Sequence, residues 1–151
     1  MPKTQTRAVP LKHQHHGVPG SSLGLRAAGT DDLIRQVEQG FPFRTLDSLK
    51  AISGLGPAAI ADGIGIPERT LARRKAGGRL SPEESERLLR LALVFEKTVQ
   101  LFEGDVGAAV RWLSSPKRAL ANKTPLAYSR TEIGAREVEA LIGRMEHGVF
   151  S

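Results

Sequence analysis

Residues 57–76 read PAAIADGIGIPERTLARRKA, and their spacing decides the fold of the first half of the chain. Ala61 precedes Gly65 by four positions, Leu71 follows it by six, and Ile60, Ile64 and Ile66 are apolar. A small residue lets two helices approach, glycine permits the turn between them, and the apolar positions wedge the pair together. The spacing therefore predicts a helix-turn-helix, with Pro57 opening the first helix and the second starting near Pro67. That second helix would present Glu68, Arg69, Thr70, Arg73 and Arg74 outward. Residues near its N-terminus face base edges, while flanking Arg and Lys contact phosphates. The densest basic cluster of the chain falls on the same helix: Arg69, Arg73, Arg74, Lys75 and Arg79, opposed only by Glu68. Short matches of this kind also arise in basic solvated helices of unrelated bundles. The coincidence of turn and charge favours double-stranded DNA as the partner. Arg69 and Arg73, with Thr70 beside them, are the expected base-edge contacts, and Arg74, Lys75 and Arg79 the expected phosphate contacts.

Charge divides the chain in the same place. The 151 residues hold 22 Lys and Arg against 16 Asp and Glu, a net of +6. Residues 1–80 contain 12 basic and 6 acidic residues, whereas residues 81–151 contain 10 of each. The whole basic excess thus belongs to the first half, and two parts with different partners are the economical reading. The absence of cysteine excludes a disulfide scaffold, thiolate zinc, iron–sulfur clusters and a cysteine nucleophile together. No apolar run approaches the roughly 20 residues that span a bilayer, and no signal-peptide core opens the chain, so a soluble cytoplasmic protein is expected. The Gly63–Gly65 pair lies inside the helix-turn-helix and not after a strand, so it is no dinucleotide fingerprint. With no phosphate loop, no His/carboxylate metal spacing and no nucleophile placed beside His147, neither an enzyme nor a cofactor is expected.

Residues 1–29 show no sustained period and are punctuated by Pro2, Pro10, Pro19, Gly17, Gly20, Gly24 and Gly29. Such a segment buries too little apolar surface to offset its ordering entropy, and a flexible tail is expected. His13, His15 and His16 are spaced to share an ion, but no carboxylate or cysteine accompanies them, and no metal site is assigned. From Thr30, a fair N-cap, Asp31 and Asp32 suit a helix N-terminus, and Leu33, Ile34 and Val37 form a stripe. Gly40 and Pro42 stop that helix. A second spans about 43–53, with Leu46, Leu49 and Ile52 on one face. A DNA-binding domain over residues 30–80 follows from these elements.

The second domain, residues 81–151, opens on Ser81-Pro82-Glu83-Glu84, in which Ser81 caps and Glu84 returns a bond to the Ser81 amide. The helix it starts is expected to run to about 103. Leu88, Ala92, Phe95, Val99 and Phe102 mark one face, and Leu89, Leu91, Leu93 and Val94 extend the apolar surface around most of the circumference. Such a helix must be covered by other helices or by another chain. Short helices carrying Trp112 and following Thr124-Pro125 come next. Trp112, among Ala108, Ala109 and Leu113, reads as core. A last helix over about 132–147 buries Val138, Leu141, Ile142 and Met145, and Gly148 stops it. No strand-like alternation occurs, and the fold expected is all-α.

Several separated motifs then occur in one order: R-T-L-A-R-R, the L-S-P-E-E-S-E-R cap, W-L-S-S-P, the T-P-L turn, and the closing G-V-F-S. Over roughly residues 43–151 the chain resembles the Xre/ParS/MbcA antitoxins, partners of RES-domain toxins in bacterial type II toxin–antitoxin systems. Asn122-Lys123 stands where some members are Gly-rich, a departure that bears on loop shape. The resemblance implies an N-terminal Xre-like DNA-binding domain and a C-terminal toxin-binding domain. It implies that the antitoxin blocks the active site of a toxin that acts on NAD, and represses its own operon. The toxin contacts it implies are Arg144, His147, Gly148, Val149, Phe150 and Ser151. Judged on residues alone, a chain end of this kind frays; the resemblance makes docking into the toxin its expected role, with the Ser151 carboxylate able to pair with basic groups built for an anionic cofactor. A homodimer within a larger toxin–antitoxin complex is also expected. The competing reading is a stand-alone helix-turn-helix regulator whose second half only dimerises.

Overall fold

The structure, a computed structural model, describes residues 18–148. Eight α-helices follow in order: α1 Thr30–Gln39, α2 Arg44–Ser53, α3 Pro57–Ile64, α4 Glu68–Gly77, α5 Pro82–Leu101, α6 Val106–Leu113, α7 Pro125–Tyr128 and α8 Glu132–Glu146. Short 3-10 turns at Ser21–Leu23 and Arg118–Leu120 complete the elements, and no strand occurs among the described residues. The fold is all-α, with the helix-turn-helix first and the C-terminal helices after it.

The local signals explain most helix starts. Ser81 accepts from the Glu84 amide while the Glu84 carboxylate accepts from the Ser81 amide at 2.8 Å, a reciprocal capping box with Pro82 at the first helical position. Thr124, Asp105 and Thr131 each accept an amide three residues on and so start α7, α6 and α8. At α1 the cap is shifted. Thr30 is already helical and Gly29 precedes it, while the Asp32 carboxylate reaches back to accept from the Ala28 amide at 2.9 Å. The long α5 ends at Leu101, two residues before the expected end. The Gly104 amide returns to the Val99 carbonyl, and Glu103 takes a left-handed φ of 55° that leaves the helix.

One continuous core surrounds α5, whose Leu88, Leu91, Ala92, Val94 and Phe95 are fully or almost fully buried. α8, α6, α1 and α3 all pack on it. It is therefore common to both halves of the molecule, and its nearly all-round apolar surface is covered within the chain apart from the half-buried Leu89, Leu93, Val99 and Leu101. Ile34 and Ile52, expected on core faces, are instead exposed, at 48% and 39%. Leu33 and Val37 in α1, and Leu46 and Leu49 in α2, do the packing at those sites.

The tail expectation is corrected over the residues that can be described. Ser22, Leu23 and Leu25 are buried in the common core. Glu96 on α5 organises the segment, accepting from the Gly20 amide at 3.0 Å, the Ser22 amide at 3.2 Å and the Ser22 hydroxyl. Periodicity could not show this, because the segment is held by one carboxylate 74 residues away and by two leucines, not by a helical stripe. Residues 1–17, with His13, His15 and His16, lie outside the described residues.

Candidate functional site

The helix-turn-helix forms at α3–α4 as its spacing requires. Gly65 sits at φ 70°, a left-handed conformation that glycine enters without a Cβ penalty, and the Ile66 amide returns to the Ala61 carbonyl at 3.1 Å. Ile60, Ile64, Ala61 and Leu71 are buried, and Ile66 packs partly on the same core. A contact invisible in the sequence joins them. A Cβ at Gly63 would come within 3.1 Å of the Leu91 side chain, so glycine here lets α3 lie close on α5.

α4 turns Leu71 inward and leaves Arg69, Ala72, Arg73, Lys75 and Ala76 exposed, with Thr70 half-buried beside them. Among the described residues no carboxylate forms an ion pair with Arg69, Arg73 or Lys75. Their cationic heads are thus available to an outside anion.

Arg74 and Arg79 differ from this. The Arg74 Nε donates to Glu84 Oε1 at 2.8 Å, and that oxygen also closes the capping box of α5. Arg74 therefore fastens α4 to the start of α5 and is not a free phosphate contact. Arg79 lies past Gly78, outside the helix, and one of its guanidinium nitrogens donates to the Gly40 carbonyl. Around it the Leu80 amide donates to Phe41 and the Phe43 amide to Gly78, both at 2.9 Å, stitching the end of the helix-turn-helix to the α1–α2 connection.

Burial of Glu84 would raise its carboxyl, but the Ser81 amide and the Arg74 guanidinium more than offset this and hold it below its ordinary range. A depressed carboxylate contributes stability above its unfolded-state value and loses it as pH falls through the folded one. Glu84→Ala removes a capping-box bond and an ion-pair partner, and is expected to cost about 1–3 kcal/mol. Thermal melting across an acid pH series checks it: the gap between wild type and variant narrows as the solution is taken into the acid carboxylate range.

At the other end, α8 buries Val138 and Ile142, with Leu141 and Met145 partly covered, and Lys97 pairs with Glu139 at 3.0 Å to hold it on α5. Arg144 is half-buried, and His147 and Gly148 are exposed at the end of the helix. Val149, Phe150 and Ser151 lie outside the described residues. Trp112 is 8% exposed, as its spacing among small residues predicted.

The two functional regions touch through Arg130, which no spacing argument singled out. Its guanidinium is 3.5 Å from Asp62 on α3, its side chain lies under Gly65, and its carbonyl accepts from Arg90 at 3.1 Å. Only the packing of α7 on α3 brings Arg130 to the turn, so no local signal existed to find it. Among the described residues no group of three His, Asp or Glu side chains is placed to hold a metal, and no helix is long and apolar enough to cross a membrane.

Known proteins match the chain in two successive parts. Residues 32–93 match the antitoxin Xre-like helix-turn-helix domain, and residues 97–148 match the antitoxin Xre/MbcA/ParS C-terminal toxin-binding domain. The first match runs on into α5, consistent with that helix serving both halves. Antitoxin Xre of Yersinia enterocolitica is 40% identical over 99% of this chain and 95% of its own length. Antitoxin Xre of Photorhabdus laumondii is 34% identical over 86% of this chain and 88% of its own. Antitoxin Xre of Pseudomonas putida is 36% identical over 55% of this chain and 52% of its own. With both halves matched in order, and with identity to the Yersinia protein running through nearly the whole of each chain, the chain belongs to the Xre antitoxin family.

Proposed function

We propose that this chain is a non-catalytic antitoxin of a type II toxin–antitoxin pair, whose C-terminal helices bind a RES-domain, NAD-consuming toxin and block its active site. Through α4 it docks on its own operator and represses its operon. The observation that carries this reading is the pairing, in one chain, of an exposed Arg69/Arg73/Lys75 face on a helix-turn-helix with a C-terminal half that matches a toxin-binding domain. Residues 30–80 would supply the DNA-binding part and residues 81–151 the toxin-binding and dimerising part, working in the cytoplasm. Arg69 and Arg73, with Thr70, would face base edges, and Lys75 and the unused guanidinium nitrogens of Arg79 would face phosphates. Arg144, His147, Gly148, Val149, Phe150 and Ser151 would contact the toxin.

Co-expression with the RES-domain toxin tests the first arm. Rescue of growth and co-purification are the expected results, and deletion of residues 148–151 should weaken both. A chain that neither rescues nor co-purifies would be a stand-alone regulator whose second half only dimerises. The second arm is tested by salt. With Arg69 and Arg73 facing bases and Arg74 engaged by Glu84, Lys75 and Arg79 are left for phosphates, so log affinity for operator DNA should fall against log salt with a slope of about −2 for each bound helix-turn-helix. A flat response would assign the basic face to something other than phosphate.

A further inference from the structure

The balanced charge of the second half conceals a local imbalance. Residues 106–131 contain Arg111, Lys117, Arg118, Lys123 and Arg130 and no Asp or Glu, a net of +5 that acidic residues on either side cancel. Arg130 is taken up by Asp62. Among the described residues, no carboxylate forms an ion pair with any of the other four.

Three of these cations are set on one turn. Lys117 and Lys123 face each other across an isolated antiparallel bridge, the Lys117 amide donating to the Lys123 carbonyl at 3.0 Å. Arg118 lies between them in sequence and is exposed, as is Lys123. The turn is held stiffly. Asn122 and Leu120 amides both return to the Lys117 carbonyl, Ala121 and Asn122 take left-handed φ values of 56° and 60°, and Leu120 is buried to anchor it. Like charges placed opposite one another repel, and left-handed backbone at residues other than glycine carries strain. Lys117 is half-buried, its ammonium 5.1 Å from the centre of the Trp112 ring, and burial pushes it below the ordinary lysine range. A stiff turn that gathers cations and partly dries one of them without a counter-ion is pre-organised for an anion supplied from outside.

We infer that the Lys117–Arg118–Lys123 turn is a second docking element of this chain, which receives a carboxylate-rich patch on the surface of the toxin. The inference rests on the toxin-binding reading above and adds the chemistry of the partner surface to it. Protein carboxylates are favoured over nucleic-acid phosphates by placement. The 118–120 segment packs on α8, the helix that carries Arg144 and ends at His147, and the turn lies inside the stretch that matches a toxin-binding domain. The recognition helix α4 packs on α3 instead. The turn and the end of α8 would then contact the toxin through different chemistries: charge at the turn, and an apolar terminus at the chain end.

The test uses the full chain with Arg118→Glu and Lys123→Glu together, both on exposed side chains, and a second variant with Gln at both positions. Binding of purified RES-domain toxin is titrated at low and moderate salt, and binding of a duplex carrying the chain's own promoter is measured in parallel. The charge-reversed variant is expected to bind toxin roughly tenfold or more weakly, with a shallower salt dependence, while promoter binding and melting temperature stay unchanged. The Gln variant should fall between it and wild type. Unchanged toxin affinity in the charge-reversed variant overturns the inference alone. Loss of promoter binding with toxin binding intact overturns it in favour of phosphate contact. Absence of toxin binding by the wild-type chain overturns the toxin-binding reading itself.

Discussion

Gly134→Ala is expected to destabilise the protein by about 3 kcal/mol or more, a sign opposite to that of an ordinary glycine-to-alanine change in a helix. Alanine normally gains about 0.5–1 kcal/mol over glycine within a helix. At Gly134, however, a Cβ would fall 1.7 Å from the Tyr128 carbonyl oxygen, and a backbone atom cannot swing aside as a side chain can. The clash sits where the Thr131 hydroxyl caps α8, between α7 and the helix that packs most extensively on α5. Relief requires α8 to move off its seat, which opens the core at Val138 and Ile142. Gly143, in the same helix, has nothing within 4 Å of a built Cβ and is the internal control. Gly143→Ala should stabilise by about 0.5–1 kcal/mol. Circular-dichroism melts of the two variants, side by side, decide the matter; equal shifts in the same direction would contradict the close approach of α7 and α8.

Arg73→Ala, and Arg69→Ala beside it, carry the largest expected functional effect. Each is exposed on the outer face of α4 and has no ion-pair partner among the described residues. A lost bidentate base contact costs about 1–3 kcal/mol, so operator affinity should fall roughly ten- to a hundredfold for each. Toxin neutralisation should survive, because α4 lies outside the region that matches the toxin-binding domain. Gel shifts with operator and with scrambled duplex separate the roles. A residue that reads bases loses operator affinity more than scrambled affinity, whereas Lys75→Ala should lower both alike. Arg74→Ala is the informative contrast. Its guanidinium is bound to Glu84, so its first effect should be a lower melting temperature. Equal loss on both duplexes for Arg73→Ala would move that residue to the phosphates.

How far such effects could be foreseen differs from residue to residue. The α3–α4 turn was legible because every part of it is local: Ala61, Gly65 and Leu71 act within eleven residues, and left-handed backbone at Gly65 follows from residue type. The Ser81–Glu84 capping box was legible for the same reason. Arg74 was not, because its type and spacing match those of Arg73 and only the approach of the α5 N-terminus sets them apart. Nor was the burial of Leu23 and Leu25, which depends on Glu96 receiving the Gly20 and Ser22 amides across 74 or more residues. The charge of the second half misled in a further way. A net of zero summed over 71 residues hid the acid-free stretch 106–131 and its turn.

From the sequence by itself came the all-α class, most helix starts, the helix-turn-helix and the exposed basic face of α4. Each rests on interactions between residues no more than a few turns apart, whose geometry residue type dictates. Tertiary structure alone decided which arginines stay available, that Leu23 and Leu25 join the core, and how Arg130 joins the C-terminal half to the turn at Gly65. Those outcomes depend on which distant surfaces come together around α5. One buried carboxylate or one backbone oxygen from afar then overrides what a residue's neighbours in sequence suggest.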